Sequence, residues 1–72
     1  MILSMAPQGK KVNIIKVTGK EEMRKHLANL GFVEGTKVQV ISELDGNMII
    51  NVKDSRIAIN KTLSNRIIVA EG

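Results

Sequence analysis

The sequence predicts a mainly β protein, a small five-stranded barrel with one short α-helix between its first and second strands. Three observations lead to this prediction. Ile and Val recur at every second position along most of the chain, as is typical of half-buried strands. Only residues 18–36 place their apolar side chains at helical spacing. The pair Asp45-Gly46, between two alternating runs, is a strong signal for a two-residue hairpin turn.

The composition indicates one cysteine-free domain that spans residues 1–72. A chain of 72 residues is near the size at which folding buries only about 60% of the surface that the unfolded chain exposes. Without cysteine, neither a disulfide nor a thiolate metal cluster can hold the fold together. The net charge of +4 permits an anionic partner, but the eleven Lys and Arg residues are spread along the chain and are interpreted as a solvated surface.

The helix is predicted from Met23, Leu27 and Leu30, which lie at positions i, i+4 and i+7. Thr18 and Glu21 match a capping box, in which the Thr hydroxyl accepts from a backbone N–H three residues on. The Glu carboxylate accepts from the backbone N–H of the Thr in return. We therefore expect the helix to begin just after Thr18.

The end of the helix is predicted at Gly31, because glycine adopts the left-handed conformation that closes a helix without a steric penalty. Phe32 is expected to fold back onto Leu27, the apolar contact that accompanies such caps. Gly35 then indicates a tight turn, and a strand begins at Thr36.

Five strands are predicted at residues 10–18, 36–42, 47–53, 56–60 and 66–70. In the first strand the alternation slips between Ile14 and Ile15, which a β-bulge or burial on both faces would explain. Residues 61–65 interrupt the alternation and are predicted to form a 3₁₀ turn with Leu63 inward. Residues 1–8 are expected to lie against the core as an N-terminal arm. Curling this short sheet into an SH3-like barrel would cover its apolar face and its edges.

The order of these elements resembles the FeoA family, the small ferrous iron transport protein A, over essentially the whole chain. The most specific match is Leu27-x-x-Leu30-Gly31-Phe32-x-x-Gly35, which fits the family pattern L-x-x-L-G-[LF]-x-P-G. Glu34 stands where the family usually has Pro. The sequence also resembles the SH3-like C-terminal domain of iron- and manganese-dependent repressors.

The resemblance implies a cytoplasmic accessory protein of bacterial ferrous iron uptake that binds the cytosolic side of the membrane transporter FeoB. It implies no catalytic residue, and the sequence predicts no enzymatic activity. The end of the helix, the following loop and the hairpin are expected to border one apolar groove for the partner. The residues assigned to this groove are Leu27, Leu30, Gly31, Phe32, Val33, Gly35, Asp45 and Gly46. The alternative is that Phe32 and Val33 both close the mouth of the barrel.

A metal site is not expected, although the resemblance associates the family with metals. The chain has one histidine, and His26 lies four residues after Glu22, so that both side chains share one helix face. Two ligands are too few for a stable site. Glu22 and His26 are therefore weak metal candidates, and no cofactor is predicted.

Two alternative functions remain open at the level of sequence. An SH3-like module with a basic isoelectric point can bind nucleic acid, although Phe32 is the only aromatic residue available to stack on a base. A stand-alone relative of the repressor domain is the second alternative. Nucleic acid and membrane insertion are not expected, and exposed edge strands allow a weak homo-oligomer.

Overall fold

The structure is a computed structural model that describes residues 1–71. It contains five antiparallel strands in one sheet, in the order β4-β3-β2-β1-β5. The strands are β1 (Lys11–Val17), β2 (Lys37–Leu44), β3 (Asn47–Val52), β4 (Ser55–Asn60) and β5 (Ile67–Glu71). The helices are α1 (Glu21–Asn29) and α2 (Lys61–Ser64), and a 3₁₀ turn spans Leu3–Met5. The predicted fold class, with one helix between the first two strands, is confirmed.

Two irregularities bend the sheet so that it wraps around its core. The pairing of β1 with β5 shifts register between Ile14 and Lys16, and that of β2 with β3 shifts between Val40 and Ser42. Ile15, at the first shift, is 50% exposed. Of the two explanations offered by the sequence for β1, the β-bulge is therefore correct and burial on both faces is wrong.

The core is built from the inward positions of the strands together with α1 and the N-terminal arm. Leu30 and Met23 are partly buried and pack against it. Its fully buried large side chains are Leu3, Val12, Ile14, Leu27, Phe32, Val38, Val40, Met48, Ile50, Val52, Ile67 and Val69. The helical face that the spacing of apolar residues predicted is therefore the face that packs inward.

The predicted start of the helix is wrong. Helix α1 begins at Glu21, and its N-cap residue is Lys20, which makes no side-chain capping bond. Thr18 instead extends the pairing of β1 with β5, since its N–H and its Oγ1 both donate to the carbonyl oxygen of Arg66, at 2.7 and 3.0 Å. The Thr18 hydroxyl therefore belongs to the sheet pairing and makes no capping bond to α1.

The predicted turn before the last strand is present, but its hydrogen bonding is α-helical instead of 3₁₀. The N–H of Asn65 donates to the carbonyl oxygen of Lys61 at 2.8 Å, four residues back. The Asn60 side chain caps this short helix by accepting from the N–H of Leu63 at 2.8 Å. Leu63 is partly buried against the core, as predicted.

The N-terminal arm lies against the core, as predicted, and it runs along β5 and crosses to β2. The carbonyl oxygen of Met1 accepts from the N–H of Val69 at 2.7 Å, and the N–H of Gly9 donates to Val40 at 2.7 Å. Leu3 is fully buried between these two attachments. Within residues 1–71, no helix has the length and apolar character needed to cross a bilayer.

Candidate functional site

The C-terminal end of α1 is closed by a complete glycine cap. The N–H of Phe32 donates to the carbonyl oxygen of Leu27 and the N–H of Gly31 to that of Ala28, each at 2.9 Å. These are the two bonds of a Schellman motif, and Gly31 has the left-handed φ of +105° that this motif requires. The predicted helix end is confirmed, and the direction of the following loop is fixed by backbone bonds.

The loop after the helix divides its two apolar residues between the core and the surface. Phe32 is 1% exposed, whereas Val33 is 37% exposed. Leu27 is fully buried and Leu30 is partly buried. Leu27 and Phe32 were assigned to a partner surface, and this is wrong, because both side chains belong to the core. Val33 is the apolar residue of the loop that a partner can reach.

The remainder of the loop is fastened to the neighbouring strand. The N–H of Thr36 donates to the carbonyl oxygen of Val33 at 3.1 Å, which closes a β-turn with Gly35 at a φ of +83°. The N–H of Gly35 donates to the carbonyl oxygen of Ile14 at 2.8 Å, and the N–H of Ile14 donates to Thr36 at 2.9 Å. Backbone bonds to β1 therefore hold Val33 in place.

The Asp45-Gly46 hairpin is present but lies away from this loop. Both residues have positive φ, +52° and +80°, as a type I′ turn requires. Gly31 lies against Val52, which pairs with Val38 near the start of β2, whereas the hairpin follows the end of that strand. Six strand residues separate the two ends, or roughly 20 Å at about 3.3 Å per residue. The prediction that loop and hairpin border one groove is therefore wrong.

A basic concavity of about 220 Å³ opens beside the loop, on the outer face of the sheet. Its walls carry three lysines and one carboxylate. The residues that line it are Lys11, Lys37, Val38, Gln39, Asn51, Lys53 and Asp54, and this set is called the basic concavity below. The ion pairs found within residues 1–71 use Lys10, Lys25 and Lys61, so none involves a lysine of the concavity.

Reasoning from the sequence missed the basic concavity because its lysines are far apart along the chain. The cross-strand register brings them together, since Lys11 lies opposite Gln39, and Gln39 opposite Asn51. Lys11 and Lys37 each precede a buried valine within a strand and therefore face outward, and Lys53 lies in the turn that follows Val52. A comparison of the outward-facing positions of adjacent strands would have revealed this cluster of lysines.

A second depression lies at the other end of α1. It has a volume of about 560 Å³ and is lined by Gly19, Lys20, Met23 and Arg66. It opens where Thr18 joins the sheet, and Met23 reaches from it toward the core. Its surface is mainly apolar, without a cluster of groups that would carry chemistry.

The two weak metal candidates, Glu22 and His26, are both exposed on α1. Across residues 1–71 no group of three or more His, Cys, Asp or Glu side chains is placed to hold one ion. The structure therefore adds no third ligand to this pair.

Comparison with known proteins agrees with the architecture described above. The sequence model of the FeoA domain matches residues 1–71. This chain belongs to the FeoA family. It is also 32% identical, over 69 residues, to a protein of Methanocaldococcus jannaschii provisionally named Fe(2+) transport protein A, an alignment that covers 96% of this chain and 84% of that protein.

Solved structures of other FeoA proteins have the same fold. The crystal structure of an iron uptake regulatory protein (FeoA) is 30% identical, with a TM-score of 0.89 over 96% of this chain and 93% of that chain. FeoA of Stenotrophomonas maltophilia, a procaryotic SH3 domain protein complexed with zinc, is 22% identical, with a TM-score of 0.85 over 97% of this chain and 89% of that chain. The second comparison shows the SH3-like fold alone.

The predicted likeness to repressors is also found. A manganese-dependent transcriptional repressor in complex with manganese is 12% identical, with a TM-score of 0.88. The alignment covers 97% of this chain but only 35% of the repressor. This FeoA-family chain therefore shares the fold of one part of that repressor.

Proposed function

We propose that this protein is an accessory protein of ferrous iron uptake that binds the cytosolic side of the FeoB transporter. The observation that carries the proposal is the match of residues 1–71 to the FeoA domain. The name of the Methanocaldococcus jannaschii relative, an Fe(2+) transport protein, supports the same role. The proposed role is one of binding, and the sequence predicts no catalytic residue.

The contact with the transporter is proposed to centre on Val33. This side chain is 37% exposed, although it is held by a closed helix cap on one side and a closed turn on the other. A loop whose backbone is already fixed loses little conformational entropy when a partner covers it. Leu30, Gly31 and Gly35 support this loop, whereas Leu27 and Phe32 act from the core beneath it.

The size of the molecule favours a modest, reversible contact. Its surface measures 4435 Å². A standard interface buries about 800 Å² on each partner, which would be nearly a fifth of this surface. A larger interface would have to extend from Val33 over the neighbouring sheet face.

The two alternative functions receive less support. Phe32, the single aromatic residue, is buried and cannot stack on a nucleic-acid base. The similarity to the manganese-dependent repressor, at 12% identity, concerns the fold alone. Neither observation favours DNA binding over a contact with the transporter.

The test is direct binding to full-length FeoB reconstituted in nanodiscs, with and without guanine nucleotide. The informative variant is Val33→Asp, and Leu44→Asp is its matched control. Both introduce a carboxylate at an exposed apolar position, 37% exposed at Val33 and 70% at Leu44. Val33 lies in the loop that precedes β2, whereas Leu44 is the last residue of that strand. Thermal unfolding of both variants should stay close to that of the wild type, because neither side chain belongs to the core.

We expect Val33→Asp to weaken binding to FeoB and Leu44→Asp to leave it unchanged. Equal binding by wild type and Val33→Asp would exclude the proposed contact surface. Absence of binding by the wild type, in every nucleotide state, would exclude the proposed partner. If Leu44→Asp alone weakened binding, the hairpin end of the molecule would be the contact surface instead.

A further inference from the structure

The basic concavity lies at the same end of the sheet as Val33. Gly31 lies against Val52, and Lys53 follows Val52 directly in sequence. Lys37 is the first residue of β2, immediately after the turn that ends at Thr36. A partner that covers Val33 would therefore approach the end of the sheet where this concavity opens.

We infer that the basic concavity binds an acidic, extended segment of the protein partner. This inference rests on the proposed function, because it specifies the chemistry of the partner at the same end of the molecule. Three lysines face the concavity, and Asp54 is the only carboxylate in its lining. The local charge is thus positive, and carboxylates are the complementary groups in a polypeptide.

The amide side chains of the concavity favour a polypeptide over a phosphate polymer. An amide both donates and accepts hydrogen bonds, which matches a peptide backbone, whereas a phosphodiester offers only acceptors. Asn51 and Gln39 lie between the lysines on the outer face of β3 and β2. The Gln39 Nε2 group already donates to the carbonyl oxygen of Gly9 at 2.6 Å, which leaves its oxygen free to accept a peptide N–H.

A lipid surface and a nucleic acid fit the concavity less well. The large exposed apolar side chains are Met1, Met5, Ile15, Val33 and Leu44, and none of them lines the concavity. A flat bilayer would thus meet a recess without an apolar side chain to insert. A single-stranded nucleic acid would meet no aromatic side chain, because the one such residue is in the core.

The experiment combines two charge reversals with two kinds of ligand. The variants are Lys37→Glu and Lys53→Glu, with Lys16→Glu as the matched control, because Lys16 is exposed on β1 but outside the concavity. The milder Lys37→Gln and Lys53→Gln variants are included in case a reversal unfolds the protein, which thermal unfolding would report. Each is tested for FeoB binding in nanodiscs at increasing ionic strength.

The second kind of ligand is a set of defined probes, each followed by the backbone amide signals of the isotope-labelled protein. The probes are a synthetic peptide rich in Glu and Asp, the same peptide with Gln and Asn in their place, oligothymidylate, and vesicles of phosphatidylglycerol. We expect the acidic peptide to shift the signals of Lys11, Lys37 and Lys53, and the neutral peptide to leave them in place. Oligothymidylate and the vesicles should act more weakly than the acidic peptide.

Reversal of either lysine should weaken FeoB binding by roughly threefold or more, as expected for an exposed ion pair, and should reduce its dependence on salt. If Lys37→Glu and Lys53→Glu bind FeoB as Lys16→Glu does, the inference is wrong while the proposed partner stands. If wild type does not bind FeoB at all, the proposed function fails, and the acidic peptide alone decides the chemistry of the concavity. Stronger binding of oligothymidylate or of phosphatidylglycerol at these lysines would overturn the inference.

Discussion

Gly31 and Val52 lie so close that a Cβ atom on Gly31 would approach Val52 Cγ1 to 3.0 Å. The glycine ends helix α1, and the valine is the last residue of β3. The cap of the helix is thus pressed directly onto the sheet. The absence of a side chain at Gly31 serves two purposes, since it permits both the left-handed φ of +105° and this close approach.

Gly31→Ala should destabilise the fold more than Gly35→Ala does. Both glycines have positive φ, which costs an L-residue about 1–2 kcal/mol. A Cβ at Gly35 meets no atom within 4 Å, so that its replacement carries only this conformational cost. Urea unfolding of the two variants separates the conformational cost from the contact with Val52. Equal losses of stability would show that the sheet moves aside freely.

Glu34→Pro should stabilise the protein by about 0.4–1 kcal/mol, because proline restricts the unfolded chain. Glu34 is the second residue of the turn closed by Thr36 and Val33, a position that proline favours in β-turns. Its N–H makes no backbone hydrogen bond within residues 1–71, so that proline removes none. The midpoint of thermal unfolding should rise by a few degrees. Glu34→Ala is the control for loss of the carboxylate. If the midpoint of thermal unfolding fell for the proline variant but not for Glu34→Ala, the turn would have a geometry that excludes proline.

Asn60→Ala should cost about 1 kcal/mol, the usual cost of losing an N-cap side chain. The Asn60 oxygen accepts from the N–H of Leu63 at 2.8 Å and is the side-chain cap of α2, a helix of only four residues. Asn47, directly opposite on β3, makes no side-chain hydrogen bond within residues 1–71, so Asn47→Ala is the matched control. Chemical denaturation measures both. Similar losses for the two variants would show that the cap contributes nothing beyond the strand pairing.

The features predicted correctly from the sequence are those set by neighbouring residues. The end of α1 depends on Gly31 and the residues next to it, and the hairpin depends on Asp45 and Gly46 themselves. Alternation within single strands likewise identified the core positions, since Val38 and Val40 are each 1% exposed. In these cases the neighbouring residues are sufficient to determine the local structure.

The features that were missed or wrong depend on partners far away in sequence. The basic concavity requires the register of β1, β2 and β3, which brings Lys11, Lys37 and Lys53 to one face. The single groove was wrong because a whole strand separates its two proposed sides. The expected contact of Phe32 with Leu27 was correctly read as part of the helix cap, but the sequence does not show that this contact is buried in the core instead of lying at the surface.

The hydroxyl of Thr18 provides the last prediction, because the sequence and the structure assign it different partners. It donates to the carbonyl oxygen of Arg66, 48 residues away, instead of capping α1. Thr18→Val should therefore cost about 0.5 kcal/mol, the low end for one exposed hydrogen bond. Amide hydrogen exchange should accelerate at Thr18, whereas the first turn of α1, at Glu21 and Glu22, should exchange as in the wild type. Thr36→Val is the control, since the Thr36 hydroxyl makes no hydrogen bond within residues 1–71. If amide exchange accelerated only at Glu21 and Glu22, the capping box predicted from the sequence would be correct, because only a cap couples this hydroxyl to those amides.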